Sequence, residues 1–156
     1  MRRRQADKRE VIADPRYNNK TITRFVNIIM VQGKKWAAEK IVYGAVETAM
    51  QKAKKTDAVE VLQKAIDNVR PLLELKSRRV GGATYQIPVE VKGDRGAQLA
   101  MRWMRNAART RKGKPMQLKL ADEILDAYNG QGTSVKKKEE IHKMAEANRA
   151  FSHYRW

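Results

Sequence analysis

Apolar residues in this chain recur at spacings of three and four, and one stretch near the middle breaks the rhythm. That spacing places them on one face of an α-helix, so the chain folds mainly by packing helical faces together. From about Thr21 the stripe is Ile22, Phe25, Val26, Ile29 and Met30, and Gly33 is suited to end that helix in the left-handed conformation. A longer helix follows from about Lys34, with Ala38, Ile41, Val42, Ala45, Val46 and Ala49 inward. The third helix begins with a capping pattern, Asp57 with Glu60 three residues on. Leu62, Ala65, Ile66 and Val69 form its stripe, and Pro71 follows its last turn.

The period changes between Leu72 and Val91. Tyr85, Ile87, Val89 and Val91 alternate with Gln86, Pro88 and Glu90. Two extended runs around Gly81-Gly82 predict a β-hairpin. Pro88 has no N–H for a central ladder, so an isolated two-stranded ribbon is expected. Such a ribbon is marginal alone and needs the body or a partner to hold its arms.

Helices resume near Asp94. In the fourth, roughly 95–110, the side chains of Arg95, Arg102, Arg105 and Arg109 share one sector, while Ala100, Trp103, Met104, Ala107 and Ala108 lie largely opposite. A loop with Arg111, Lys112 and Lys114 leads to Pro115, suited to a first helical turn. The fifth helix has Leu118, Ala121, Ile124, Leu125 and Tyr128 inward and stops at Asn129-Gly130. The last begins near Thr133 or Ser134, runs towards the C-terminus and has Ile141, Ala145 and Asn148 on its core face, with Met144 and Phe151 beside it. The expected fold is mostly α: a single domain of about six helices with one extended β-hairpin between the third and fourth. Residues 1–18, with Arg2, Arg3, Arg4, Lys8 and Arg9, read as a mobile basic arm ending near Asp14-Pro15, and residues 19–156 as the helical domain.

The charge points to the partner. Lys and Arg number 34 against 17 Asp and Glu, a net charge of +17. Like charges on a compact body repel, so such an excess implies a polyanion. No apolar stretch approaches the roughly 20 residues of a membrane span. Met1-Arg2-Arg3-Arg4 has no apolar region behind it, unlike a secretory signal. Cysteine is absent, so disulfides and thiolate metal sites are excluded. Aromatics make up only 6%, too few for a continuous base-stacking platform.

Four clusters stand out beyond the arm. Lys136-Lys137-Lys138 sit in the first turn of the last helix, where the helix dipole disfavours cations. A solvated surface offset by Glu139 and Glu140 is the bland explanation, and phosphate docking at a helix start is the functional one. Lys34-Lys35 repeat the arrangement. Lys76, Arg78 and Arg79 flank the hairpin tip. Charge there protects strand edges from aggregation, and arginine also pairs with phosphate and stacks on bases. Few acids interleave with the Arg95–Arg109 stripe, so an RNA backbone is the favoured remedy for its self-repulsion.

Catalysis has little support. His142 and His153 are eleven positions apart on one predicted helix, roughly 16 Å along it. They cannot share a metal or a triad. Neither Gly33-Lys34-Lys35 nor Gly113-Lys114-Pro115 has the spacing of a phosphate-binding loop. Gly93-Asp94-Arg95-Gly96 mimics a G-x-x-G loop but follows a strand rather than a helix. The residues alone therefore lead to a basic helical nucleic-acid binder with no metal and no cofactor. A DNA-compacting protein is the rival from another class, and an enzyme acting on RNA has no residues to nominate.

Two blocks narrow this. Lys76-Ser77-Arg78-Arg79-Val80-Gly81-Gly82-Ala83-Thr84-Tyr85-Gln86-Ile87-Pro88-Val89-Glu90-Val91 resembles the hairpin signature of the bacterial small-subunit ribosomal protein seven family. Val135-Lys136-Lys137-Lys138, then Met144-Ala145-Glu146-Ala147-Asn148-Arg149-Ala150-Phe151-Ser152-His153-Tyr154-Arg155-Trp156, resembles that family's C-terminus. Gly33-Lys34-Lys35 and Leu99-Ala100-Met101-Arg102-Trp103 match as well, so the similarity spans nearly the whole chain. The resemblance implies a non-enzymatic cytoplasmic ribosomal protein, a primary binder of the 3′ major domain of 16S ribosomal RNA that nucleates head assembly. Its expected neighbours are the small-subunit proteins numbered nine and eleven, the exit-site transfer RNA and the messenger exit path. It implies that Lys76, Arg78, Arg79, Gly81, Gly82 and Tyr85 lie on the hairpin near transfer or messenger RNA, with Arg149, His153, Tyr154, Arg155 and Trp156 on the tail. It places Lys34, Lys35, Arg102 and Lys136–Lys138 at ribosomal-RNA contacts. One departure is Lys92-Gly93-Asp94-Arg95-Gly96, where the family commonly carries more arginine; Asp94 weakens a phosphate contact there.

Overall fold

The computed structural model describes residues 9–154. Arg2, Arg3, Arg4 and Lys8 of the basic arm, and Arg155 and Trp156 of the tail, lie outside the described residues. Among the described residues the order is α1 (Lys20–Ile29), α2 (Lys35–Lys52), α3 (Ala58–Val69), β1 (Leu73–Val80), β2 (Ala83–Glu90), α4 (Gly93–Thr110), α5 (Met116–Tyr128), α6 (Thr133–Ala147) and a closing 3-10 helix (Arg149–Tyr154). The expected mostly α architecture, with one hairpin between the third and fourth helices, is the observed one.

The helix starts follow local chemistry. Asn19 accepts from the Thr21 N–H at 2.7 Å and Asp57 from the Val59 N–H at 2.7 Å. Each cap satisfies a backbone donor that would otherwise lack a partner, worth about 1 kcal/mol. α1 ends at Ile29, earlier than the predicted stop at Gly33. Gly33 is left-handed, with φ +73°, but it serves the turn into α2, where its carbonyl accepts from the Lys35 N–H.

α5 is central, packing against α2, α3, α4 and α6. Ile22, Phe25 and Val26 of α1, Val42 and Val46 of α2, and Leu62 and Ile66 of α3 are buried as read from their stripes. One inward assignment fails: Leu118 is exposed and Leu120 takes the buried position, while Val135 is buried at the start of α6 and Met144, read as beside its core face, is exposed. Met101 is also buried, so the core side of α4 is wider than the sequence pattern suggests. At Gly44 of α2 a Cβ would come within 2.1 Å of the Gln117 amide, the flexible end of an α5 side chain that rests over the bare glycine.

The hairpin pairs Val80 with Ala83 across Gly81-Gly82, both at positive φ, and continues to Leu73 opposite Glu90. Two successive positive φ values match the twist of a tight hairpin turn. Counting from the closing pair, Leu75 opposite Pro88 falls at a non-hydrogen-bonded position, so the proline costs the ladder nothing. The body holds the base. The Leu72 N–H donates to His142 Nε2 at 3.1 Å, the Tyr85 ring lies 5.1 Å from that of Phe151, and Ile87 is fully buried.

The end of the predicted arm folds onto α2. Asp14 is buried, and its Oδ2 accepts from the N–H groups of Arg16 and Tyr17, both at 3.0 Å. The Tyr43 hydroxyl donates to Asp14 Oδ1, and Arg16 pairs with Glu47. Burial, aided by the Asp14 bond, pushes the Tyr43 hydroxyl up to about 12.

One interior charge organises the α4–α6 side. Glu123, on α5, is 0% exposed. Its Oε1 accepts from the Ser134 N–H at 3.1 Å and the Ser134 hydroxyl at 2.6 Å. Its Oε2 accepts from Arg111 Nε at 3.1 Å and Nη2 at 2.5 Å, and Nη2 also reaches Asp126. Gly132 gives α6 no side-chain cap, so Glu123 supplies that acceptor from a neighbouring helix. Glu123→Ala leaves a guanidinium and a helix-start N–H without their partner and is expected to cost about 3–5 kcal/mol. Glu123→Gln keeps one acceptor and should cost less. Urea unfolding followed by circular dichroism measures both, and a loss below about 1 kcal/mol for the alanine variant would show that water substitutes for the carboxylate.

Candidate nucleic-acid interface

The basic residues singled out from the sequence differ in how they are engaged. Among the described residues, Lys34, Arg102, Arg109, Lys112 and Lys136 are exposed and form no ion pair with a carboxylate. Arg9, Arg79 and Arg149 are likewise exposed and without an ion pair, whereas several others are engaged inside the molecule. Arg95 Nε meets Glu74 at 2.8 Å, and Asp94 meets Arg24 at 3.2 Å, so that stretch is tied internally. Lys114 binds Asp122 at 2.7 Å, sharing it with Lys52, also at 2.7 Å; those two lysines hold the Asp122 carboxyl below its usual range. Lys35 reaches Glu39 at 3.5 Å and Lys137 reaches Glu140 at 3.0 Å, both on exposed helix surface.

Arg111 and Lys138 are the clearest departures from an outward reading. Arg111 is the partner of buried Glu123, whose carboxylate, with Asp126, raises the guanidinium pKa against the effect of burial. Lys138 Nζ donates to the Asn68 carbonyl at 2.6 Å, at the end of α3. A cation there complements the negative end of the helix dipole.

Arg105 is intermediate between the exposed and the engaged residues. Its Nη1 donates to the Ile28 carbonyl at 3.2 Å, which sets the arginine face of α4 beside the end of α1 and the turn carrying Lys34. Burial lowers its pKa first, and the guanidiniums of Arg109 and Arg102 lower it further. The α4 cluster therefore concentrates positive charge without an internal counter-ion. The second half of α4 and the start of α6 flank an open cleft of about 470 Å³, with Trp103 and Thr110 on one side and Lys136 and Lys137 on the other.

The hairpin lies at the other end of α6, whose fifteen residues span roughly 22 Å. Lys76 and Arg79 are exposed, Gly81 and Gly82 form the exposed tip, and Arg78 is half-buried. Arg149 and His153 are exposed on the closing 3-10 helix, and Tyr154 ends it. His142 and His153 do not share one helix, because α6 stops at Ala147. His142 Nε2 accepts a backbone hydrogen bond, and burial with Lys138 nearby lowers its pKa. The Gly93–Gly96 segment is the first turn of α4. Among the described residues no cluster of His, Cys, Asp or Glu has metal-ligand geometry, and no helix is long and apolar enough to cross a membrane.

Sequence reasoning missed Glu123, Asp126 and Trp36. Glu123 shares the i, i+3, i+4 spacing of Leu120, Ala127 and Ile124's stripe, which marks it as inward. Trp36 falls off the α2 stripe and is 74% exposed next to Lys34 and Lys35.

A helical domain that carries unneutralised cations on several elements and projects a basic hairpin is of the nucleic-acid-binding class. The family described as Ribosomal protein S7p/S5e matches residues 1–149. The chain is 57% identical over 155 residues to the small ribosomal subunit protein uS7 of Methylococcus capsulatus, covering 99% of each chain. It is 56% identical over 156 residues to uS7 of Fervidobacterium nodosum, covering 100% of each, and 54% identical over 155 residues to uS7 of Pelobacter propionicus, covering 99% of each. The chain belongs to the Ribosomal protein S7p/S5e family. It is therefore a ribosomal protein of the small subunit, a structural component of the ribonucleoprotein and not an enzyme. The relatives are bacterial, with cytoplasmic ribosomes.

The division of the arginines is directly testable. Arg109→Ala should leave stability within about 0.5 kcal/mol of wild type while weakening RNA binding and lowering the salt slope by about one. Arg111→Ala should instead lower stability by about 3–5 kcal/mol. Thermal unfolding beside RNA titration separates them; equal stability losses would contradict the partition.

Proposed function

We propose that this protein is a primary binder of the 3′ major domain of 16S ribosomal RNA and nucleates assembly of the subunit head. The observation that carries this reading is the spread of unpaired cations over separate elements. Lys34 lies at the α1–α2 turn, Arg102 and Arg109 on α4, Lys112 in the following loop and Lys136 on α6. Such a distribution suits phosphates where several RNA helices meet better than one duplex groove. Neutralising those phosphates favours the folded junction over the open one. Lys35, Arg105, Lys137 and the arm residues Arg2, Arg3, Arg4, Lys8 and Arg9 add to the same surface in this proposal. Arg95, Arg111, Lys114 and Lys138 contribute mainly by holding the protein's shape.

The hairpin and tail have a separate role in the same reading. Lys76, Arg78, Arg79, Gly81, Gly82 and Tyr85, with Arg149, His153, Tyr154, Arg155 and Trp156, lie near the exit-site transfer RNA and the messenger exit path. Small-subunit proteins nine and eleven are the proposed neighbours. The residue division is a basic arm over 1–18 and a helical domain over 19–156. The support is the family resemblance, together with a hairpin tip remote from the helical core.

Two experiments test the proposal. With about 6–10 phosphate contacts, affinity for the 3′ major domain should fall by ~10³–10⁵ between 50 and 200 mM salt. The complex should also survive excess duplex DNA or transfer RNA at fixed salt. Displacement at near-equal mass would indicate non-specific charge binding, as a DNA-compacting protein would show. Second, deleting residues 78–84 should leave ribosomal-RNA binding largely intact while disturbing transfer-RNA retention or reading frame, measured on reconstituted subunits. Failure of the deleted protein to support head assembly would contradict the separate role of the hairpin.

A further inference from the structure

The exposed ring of Trp36 lies outside the core, and its one ring contact among the described residues is with the Lys40 ammonium. It stands on the first turn of α2, off the buried stripe of Ala38, Val42, Ala45, Val46 and Ala49, and is 74% exposed. An indole offers a large apolar face, and leaving it in water forgoes the stabilisation that burial would bring. Its surroundings are cationic. Lys34 and Lys35 precede it, and Lys40 Nζ lies 5.5 Å from the ring centroid on the same helix surface. Lys34 is unpaired, while Glu39 is engaged by Lys35 and Glu47 by Arg16 and Tyr17. The nearby carboxylates are thus already matched. Beside the ring a cleft of about 400 Å³ opens between α2 and Gln117, with Arg16 and Tyr43 on its wall.

From this juxtaposition we infer that Trp36 is a stacking platform for one unpaired base of a bound RNA, with Lys34 and Lys40 taking the flanking phosphates. The inference rests on the RNA-binding reading above and names a contact within it. An aromatic face ringed by cations matches a nucleotide whose base is unstacked. A duplex would present only phosphate and leave the ring in water. A protein partner would have to cover the ring and bring acids to the lysines.

The test uses the full chain and 3′ major domain ribosomal RNA at fixed salt. Trp36→Ala should weaken binding roughly tenfold and leave the salt slope unchanged, because stacking displaces no counter-ions. Trp36→Phe keeps a ring and should recover most of the affinity. Lys34→Ala, by contrast, should lower the slope by about one. The fluorescence of Trp36, obtained as wild type minus the phenylalanine variant, should be quenched on binding. Because the ring is exposed, both variants should unfold at the wild-type temperature, which is checked first. Affinity of Trp36→Ala within twofold of wild type, or a lowered salt slope in that variant, overturns the stacking role. The broader RNA-binding proposal fails only if the wild-type protein itself shows no selective, salt-dependent binding, so the two failures are distinguishable.

Discussion

The working surface depends on a single interior carboxylate. Moving Glu123 out of water costs several kcal/mol, and only well-placed donors offset that cost. Arg111 supplies a guanidinium and Ser134 supplies an N–H and a hydroxyl, so one side chain fixes the start of the α4–α5 loop, α5 and the start of α6 together. The arrangement also bears on the lysines that follow. Lys136 closes the first turn of α6, with Lys137 and Lys138 in the second rather than all three in the first, so Lys136 opposes the helix dipole by a few tenths of a kcal/mol. A negative charge beneath that turn counters part of the penalty. Display of Lys136 towards solvent is thus tied to a group that never reaches solvent.

The same logic governs the remaining acids. With half as many acids as bases, neutralisation is selective. Asp122 holds both Lys52 and Lys114, Glu74 holds Lys76 and Arg95, and Glu47 holds Arg16. Each of these carboxylates joins segments distant in sequence or pins a loop. Among the described cations without an ion pair, Arg102 and Arg109 on α4, Lys34 at the α1–α2 turn and Lys136 near the start of α6 are exposed, and others lie on the hairpin and elsewhere. Unpaired charge is thus exposed to an outside anion, and on α4 burial first, then the guanidiniums of Arg109 and Arg102, lower the pKa of Arg105.

Periodicity carried the fold because α1 and α3 have stripes with one clear phase, and Gly81-Gly82 sets the hairpin register unaided. It failed where phase was ambiguous. α5 starts abruptly after Pro115, and Leu118 and Leu120 compete for the core; contact with α2 and α3 decides for Leu120. The break after Ala147 was hidden because Met144 and Phe151 continue an apparent stripe. The basic clusters were legible as clusters, but not which members face out. Arg111 looks like Lys112 in sequence; what separates them is a carboxylate 12 positions away, brought close by the α4–α5 turn. Trp36 is legible as an aromatic off the α2 stripe, but its exposure is fixed only by the fold.

α6 gives the molecule its division of labour. Its first two turns carry the lysines, and its start is fixed from below by Glu123. Its far half holds the hairpin base, through His142 and the following 3-10 helix. The His142 contact requires an unprotonated Nε2, and burial, which lowers its pKa, keeps it that way near neutral pH. Helices are stiff over this length, so the two ends keep a fixed separation. The hairpin tip lies beyond the core and has none of the core's packing duties. A partner at the tip can therefore be met without disturbing the α4–α6 surface, while α6 holds both in one frame.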